Sequence, residues 1–294
     1  MHKEIIKDIG EKELIKRIAK YMPINQTSDD CAFLETESED LLINTDLMVE
    51  NTHFNRKIIS PRDIGWKAVT TNYSDLISSG CIEFIGINIG LVLTPYTEWQ
   101  WVHELYEGFN EALNKFGGSI LGGDCVRGES KMISITAIGL QSKIKLRRNA
   151  CKPGEILLTT GIHGLSKLGL LIRSNQINKE DLNLNEKLID LSIDAFCRPT
   201  PKQEILKKII LSSELFVKQE IGCTDSSDGF YQAILDLSKE SKCKAVIDYQ
   251  KIPKNNIWPY GEKWDQYYLF GGEDYELLIS LPRDWANKLI QMEE

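Results

Sequence analysis

The sequence lacks the motifs that mark several common classes of site. It has four histidines, no CxxC pair and no Walker A loop of the form GxxxxGK[ST]. The GxGxxG and GxSxG patterns are absent as well. These absences remove the usual sequence signatures of a zinc site, of a P-loop or Rossmann nucleotide site and of an acyl-transfer triad. If the protein binds a nucleotide, it does so by another architecture.

Net positive charge and long apolar runs are also lacking. The formal net charge is −8 and the pI is near 5.3, so a nucleic-acid partner is not expected, because such partners need clustered Lys and Arg. No apolar run reaches the length of a membrane span, and the first 22 residues alternate charged and apolar positions at helical spacing. The seven cysteines show no pairing pattern. They predict reduced thiols and a cytoplasmic location.

The chain does have enough apolar residues for a large core. Its 294 residues are 42% hydrophobic, and this length favours two domains. The basic, polar stretch at 141–155 interrupts the alternation of strand and helix signals, so we predict an N-terminal domain over 1–140 and a C-terminal domain over 147–294. Mixed strands and helices indicate α/β or α+β domains rather than a barrel or a bundle.

Local patterns predict the individual elements. Helices are expected at the N-terminus, over 61–80 and 97–117, after Ser166, and over 229–241, with a polar surface segment around 174–187. Strands are expected at 31–34, 41–45, 85–93, 119–121, 132–139, 244–248 and 276–281.

Aspartates recur at the ends of predicted strands and in glycine-containing turns. They are Asp29, Asp30, Asp46, Asp75, Asp124, Asp225 and Asp228. A carboxylate inside an apolar segment needs a compensating cation or donor, and few Lys or Arg residues lie beside these positions. Carboxylates suit Mg²⁺, which is usually bound by a few of them together with substrate phosphates. Any single Asp is more often a helix cap or turn residue, so the prediction depends on the whole set.

Two further features are weaker signals. Gly122 and Gly123 permit close approach of backbone to a phosphate and are followed by Asp124 and Arg127, although a GG pair commonly just turns the chain. His53 follows an acidic strand segment, and a lone His there is more often packed or on the surface than functional.

Taken in order, the segments resemble the thiamine-monophosphate kinase family, within the superfamily of aminoimidazole ribonucleotide synthetase, selenophosphate synthetase and a hydrogenase maturation enzyme. The resemblance runs from about residue 4 to the end. It rests on DDCAFLE (29–35), NTDLMVENTHF (44–54), NYSDLISSG (72–80), GGDCVRG (122–128), RRNACKPGEILLTTG (147–161), PTPK (199–202), DSSDGF (225–230) and GGEDYELL (271–278). VENTHF and GGEDYEL point to the thiamine branch.

The resemblance implies a two-domain α/β (α+β) fold whose N-terminal sheets pair in a homodimer barrel and whose C-terminal domain is an α/β sandwich. Mg²⁺ would be bound by Asp29, Asp30, Asp46, Asp75, Asp124 and Asp225, helped by Thr45 and Asn44, with a further ion at Asp228. ATP would contact Tyr106, Gly122, Gly123, Arg147 and Ser227. Thiamine monophosphate would contact His53 and Glu273.

This reaction needs no general base, because the attacking phosphate oxygen is already anionic at neutral pH. Two anions must be brought together instead, and bridging metal ions do this while aligning the oxygens. A site rich in Asp and without an obvious catalytic His or Cys matches that requirement.

The sequence departs from the family pattern at Asn44, Cys125 and Phe230, where Thr or Ser, Thr, and Leu are usual. Family members usually continue for several tens of residues beyond GGEDYEL, with an aromatic residue that packs on the thiamine. Here either Trp264 or Trp258 replaces that element or the pocket is incomplete. The rival hypotheses are a sibling synthetase of the same superfamily and a catalytically silent nucleotide-binding homologue.

Overall fold

The first half of the chain is built on a five-stranded sheet. The computed structural model describes residues 13, 29–34, 40–177, 184–213, 220–254 and 256–292. The strands are β1 (Ala32–Leu34), β2 (Leu41–Val49), β3 (Cys81–Leu93), β4 (Ser119–Arg127) and β5 (Met132–Gln141). Their order is β1-β2-β5-β3-β4, and the β3–β4 pair is parallel while the other pairs are antiparallel. A parallel pair needs a crossover, and a helix supplies it.

Two long helices pack together beside this sheet. They are α1 (Pro61–Ser78) and α2 (Trp99–Phe116), and α2 is the crossover between β3 and β4. Ser60 caps α1 by accepting the backbone N–H of Asp63, and Pro61 occupies the first turn. The helices cross at Gly65 and Gly108, where an added Cβ would collide with the backbone of the other helix. Glycine at these positions lets the two backbones touch.

The second half is built on a four-stranded sheet with helices around it. The strands are β6 (Lys145–Arg147), β7 (Ile156–Thr159), β8 (Glu220–Asp225) and β9 (Leu277–Leu281), in the order β6-β8-β9-β7. The helices are α3 (Leu165–Arg173), α4 (Glu186–Cys197), α5 (Gln203–Ser212), α6 (Phe230–Glu240), α7 (Glu262–Phe270) and α8 (Arg283–Gln291). Short 3-10 turns lie at Arg148–Ala150 and Tyr249–Lys251. The expected α/β class is confirmed.

Several predicted elements need correction. The strand predicted at 119–121 continues to Arg127, because each residue from Gly122 onward pairs with β3, so the GGD segment is part of a strand rather than a turn. Residues 244–248 form no strand, although their composition favours one. The N-terminal helix lies outside the described residues, apart from Glu13.

Apolar packing joins the two halves. One core cluster extends from Leu42 on β2 to Leu281 on β9, while a second, smaller cluster fills the space around α3, α6 and α7. The domain division at 140 and 147 remains a prediction, and the second sheet begins at Lys145. Among the described helices, none is long and apolar enough to cross a membrane.

Candidate active site

Helix α1 carries a polar stripe that organises the site. The stripe consists of Lys67, Thr71, Ser74, Asp75 and Ser78. Positions three or four residues apart lie on the same face of a helix, so these side chains share one face. Apart from Asp75, which is nearly so, all are buried, because α1 is covered by the first sheet on one side and by the second half of the chain on the other. Burial of a polar face costs free energy unless its groups are hydrogen-bonded or ion-paired. Here the partner groups come from both halves of the chain.

Three carboxylates converge at the C-terminal end of this stripe. Asp30 precedes β1, Asp75 lies on α1 and Asp225 ends β8, and one oxygen from each lies within 4.8 Å of the others. The sequence places them 45 or more residues apart, and the fold brings them together. Three of the seven predicted aspartates, from both halves of the chain, therefore lie together, and their role as metal ligands remains a prediction.

The carboxylates oppose one another's ionisation. Burial raises the pKa of Asp75 well above its usual range, and the charges of Asp46, Asp225 and Asp30 raise it further. Burial likewise raises the pKa of Asp30 to about 7, although Arg148 lowers it, and raises that of Asp46 to about 6. This cluster carries more negative charge than its protein surroundings neutralise. Such a set of oxygens is suited to a divalent cation.

Hydrogen bonds hold the acids in place. Asn44 Nδ2 donates to Asp75 Oδ2 at 2.8 Å, Ser74 Oγ donates to Asp225 Oδ2 at 2.6 Å, and Ser78 Oγ donates to Asp30 Oδ2 at 2.9 Å. The amide oxygen of Asn44 is buried without a hydrogen-bond partner among the described residues. An orphaned oxygen beside Asp75 fits a metal ligand, so the unusual Asn44 can still serve in the predicted set.

Arginines occupy the side of the cluster nearest Asp29. The backbone N–H of Arg148 donates to Asp29 Oδ1 at 3.0 Å, and the guanidinium of Arg148 pairs with Asp30. Arg147 Nη1 lies 4.0 Å from Asp29 Oδ2. Sequence reasoning missed Arg148, whose signal was its position as the second Arg of RRNACKPG. Asp29 is thus matched by arginine groups in this structure, and its role as a metal ligand remains a prediction.

A cleft of about 680 Å³ opens beside the carboxylates. Its lining comes from both halves and comprises Thr45, Asp46, Leu47, Met48, His53, Lys67, Thr71, Asp75, Ser227, Asp228, Glu273 and Tyr275. His53 Nδ1 accepts the backbone N–H of Val49 at 3.0 Å, so the neutral ring carries its proton on Nε2. Seven of the residues that line this cleft were predicted as site residues: Thr45, Asp46, His53, Asp75, Ser227, Asp228 and Glu273.

Glu273 and Lys67 connect the halves across this cleft. Lys67 Nζ lies 3.0 Å from Glu273 Oε2, and the backbone N–H of Glu273 donates to the carbonyl of Ser227 at 2.7 Å. Glu273 has a φ of 67°, a left-handed conformation that is strained for a non-glycine residue. Lys67 was not predicted from the sequence, although a lysine within the otherwise uncharged run GWKAVTTNYS was a visible signal.

The remaining predicted residues lie apart from the cleft lining. Gly122, Gly123 and Asp124 are exposed on β4, and Asp124 Oδ1 accepts the backbone N–H of Cys125 at 2.9 Å. Tyr106 is partly buried on α2 with its ring 5.2 Å from that of Phe109. No described contact brings these four residues to the carboxylate cluster. Their roles remain predictions.

Comparisons with known proteins decide the family. The model of AIR synthase related protein, N-terminal domain, matches residues 28–141. A thiamine-monophosphate kinase from Prochlorococcus marinus is 44% identical over 284 residues, which cover 96% of this chain and 85% of that protein. One from Aquifex aeolicus is 31% identical and covers 98% and 91% of the two chains.

The chain belongs to the thiamine-monophosphate kinase family.

A solved structure supports the same assignment for the whole fold. The structure described as AaThiL complexed with AMPPCP and TMP superposes with a TM-score of 0.85 at 29% identity, covering 97% of this chain and 89% of that one. The aminoimidazole ribonucleotide synthetase-like fold is therefore confirmed for this thiamine-monophosphate kinase family member. A barrel formed by two copies remains a prediction.

Proposed function

We propose that this chain transfers the terminal phosphate of ATP to thiamine monophosphate and so produces thiamine diphosphate and ADP. The observation that carries the proposal is the convergence of Asp30, Asp75 and Asp225 from both halves beside a cleft lined by Asp46, His53 and Glu273. The family membership supports the reaction class. The similar structure named for AMPPCP and TMP supports the substrate pair.

Mg²⁺ fits the donor set at the cluster. Asp30, Asp46, Asp75 and Asp225 would hold it, with Asn44 and Thr45 beside them, Asp29 and Asp124 as the further predicted ligands, and Asp228 at a separate ion. When bound, the metal neutralises the repulsion between donor and acceptor phosphates. The hard oxygen ligands and the unmatched negative charge favour Mg²⁺ over softer metals.

The chain's own groups bind and orient the two substrates. We propose that Tyr106, Gly122, Gly123, Arg147 and Ser227 contact ATP, as the family resemblance implies. His53 offers an Nε2–H donor toward the cleft, and Glu273 offers a carboxylate; these two would contact thiamine monophosphate. Neither acts as a general base, since the acceptor oxygen is anionic and Glu273 is already paired with Lys67.

A direct assay tests the function. Purified protein with ATP, MgCl₂ and thiamine monophosphate should yield thiamine diphosphate and ADP, and chelation of the metal by EDTA should stop the reaction. Absence of product would defeat the kinase proposal in favour of the silent nucleotide-binding homologue, provided ATP binding is still measured. Product from an aminoimidazole precursor would instead favour a sibling synthetase.

We also propose that two copies associate through the first sheet. The edge strand β4 exposes Leu121 and Val126. Exposed apolar side chains on an edge strand favour pairing with another chain. Light scattering after size exclusion tests this: a mass of one chain rather than two contradicts it.

The seven free cysteines support the expected reducing, cytoplasmic environment.

A further inference from the structure

Lys67 is a buried cation in a cleft whose lining includes four acids, Asp46, Asp75, Asp228 and Glu273. It lies on α1 two turns before Asp75, and its side chain is 2% exposed. Burial of an ammonium is costly unless its charge is matched. The structure supplies two partners for it: Glu273 Oε2 at 3.0 Å and the ring of Phe196, whose centroid is 4.5 Å from Nζ. The charge of Lys67 is thus directed at Glu273 rather than at solvent.

The orientation of the Glu273 carboxylate depends on an ion-pair partner. Its φ of 67° is strained, and Tyr275, two residues later, also has a positive φ of 52°. The Glu273 side chain is 37% exposed, so a carboxylate without a partner there would sample several rotamers. Among the described residues, the side chain of Glu273 receives one hydrogen bond, from Lys67 to Oε2. Oε1 stays available to a ligand in the cleft.

From this geometry we infer that Lys67 is a substrate-positioning residue that acts through Glu273. The inference rests on the proposed function, in which Glu273 contacts thiamine monophosphate. Lys67 holds one oxygen of Glu273 so that the other is fixed toward the substrate. The same ion pair ties α1 to the segment after α7 across the cleft.

Substitution with methionine removes the charge and keeps most of the volume. Lys67→Met should raise the KM for thiamine monophosphate about tenfold, because a buried charged hydrogen bond is lost, while the KM for ATP changes little. Glu273→Gln should raise the same KM, and the double variant should be no worse than the more affected single variant, since the two residues act as one unit. Calorimetric titration of thiamine monophosphate into each variant, with a non-hydrolysable ATP analogue present, should show the same loss of affinity.

Lys131 provides a matched control. Its Nζ lies 3.0 Å from Glu50 Oε1 and 5.2 Å from the centroid of the Trp101 ring, so it is also a buried lysine with an acid and an aromatic ring, but it lies outside the cleft. Lys131→Met should lower the melting temperature without raising the KM for thiamine monophosphate.

Three outcomes would overturn the inference. They are an unchanged KM in folded Lys67→Met, an equal KM rise in Lys131→Met, and additive effects in the double variant. If Lys67→Met does not fold, Lys67→Gln keeps an N–H donor for Glu273 and should still raise the KM, by less than tenfold. The proposed function fails separately, when the parent protein makes no thiamine diphosphate.

Discussion

The carboxylates clustered around α1 and the carboxylate of Asp124 on β4 differ in burial and in hydrogen bonding. Asp75 is covered, hydrogen-bonded by Asn44 and crowded by other acids. Asp124 is exposed and accepts only its neighbour's backbone N–H among the described contacts. A buried acid cluster stores electrostatic repulsion that a cation relieves, whereas an exposed acid stores none. Substitutions that lower turnover at the two sites should therefore have unequal effects on stability.

The largest expected effect follows from Asp75→Asn. Turnover should fall by about 10³-fold, because a proposed central metal ligand is lost without a change in volume. The ligand-free protein should at the same time melt at a higher temperature, because a charge that opposes Asp30, Asp46 and Asp225 is gone. Steady-state kinetics and thermal melts on one preparation measure both. A lower melting temperature would show that Asp75 is matched by the protein alone.

Asp124→Asn should lower turnover by about 10²-fold and leave the melting temperature unchanged. The exposed carboxylate contributes little to the folded state, because solvent already screens it. Glu129→Gln, another exposed acid near β4, serves as the control and should change neither quantity. Unchanged kinetics in Asp124→Asn would remove Asp124 from the metal site and leave β4 without a catalytic role.

A third test uses an acid that is buried but lies outside the cluster. Asp274 accepts the N–H groups of Gly164 at 2.6 Å and Ser166 at 2.9 Å at the start of α3, and burial raises its pKa to about 7 from 3.8. At a pH between these two pKa values, the Asp274 carboxyl is ionised in the unfolded chain but still protonated in the folded chain. The free energy of unfolding therefore falls as the pH rises from about 4 to 7.

Asp274→Asn should flatten that slope in melts recorded across this range. Mg²⁺ should raise the melting temperature at neutral pH in the parent and in Asp274→Asn, but not in Asp75→Asn, because the cation relieves only the cluster. An unchanged pH slope in Asp274→Asn would mean that the hydrogen bonds from Gly164 and Ser166 lower the pKa of Asp274 at least as much as burial raises it. A Mg²⁺ effect that persists in Asp75→Asn would place the cation elsewhere.

The sequence points to the clustered carboxylates better than to the groups that surround them. Asp30, Asp75 and Asp225 could be proposed from residue type and motif, since each stands at the end of a recognisable element. The partner groups Lys67 and Arg148 stood out in the sequence, but the acids they pair with could not be predicted, because those pairs depend on long-range packing. The prediction of a strand at 244–248 was wrong for a related reason. Residues of high strand propensity form a strand only where a neighbouring strand can pair with them.

The smallest expected effect distinguishes a serine that orients a site carboxylate from a serine that only packs within its own helix. Ser74 Oγ donates to Asp225 Oδ2 at 2.6 Å, while Ser192 Oγ donates to the carbonyl of Leu188 at 2.7 Å within α4. Both serines are buried, so each Ser→Ala variant should lose about 1 kcal/mol of stability at most. Ser74→Ala should also lower kcat about threefold to tenfold, since Asp225 loses the bond that orients it. Ser192→Ala should leave kcat unchanged. Equal kcat in the two variants would show that the carboxylates are held by the backbone of their own elements, and that the polar stripe of α1 contributes packing rather than orientation.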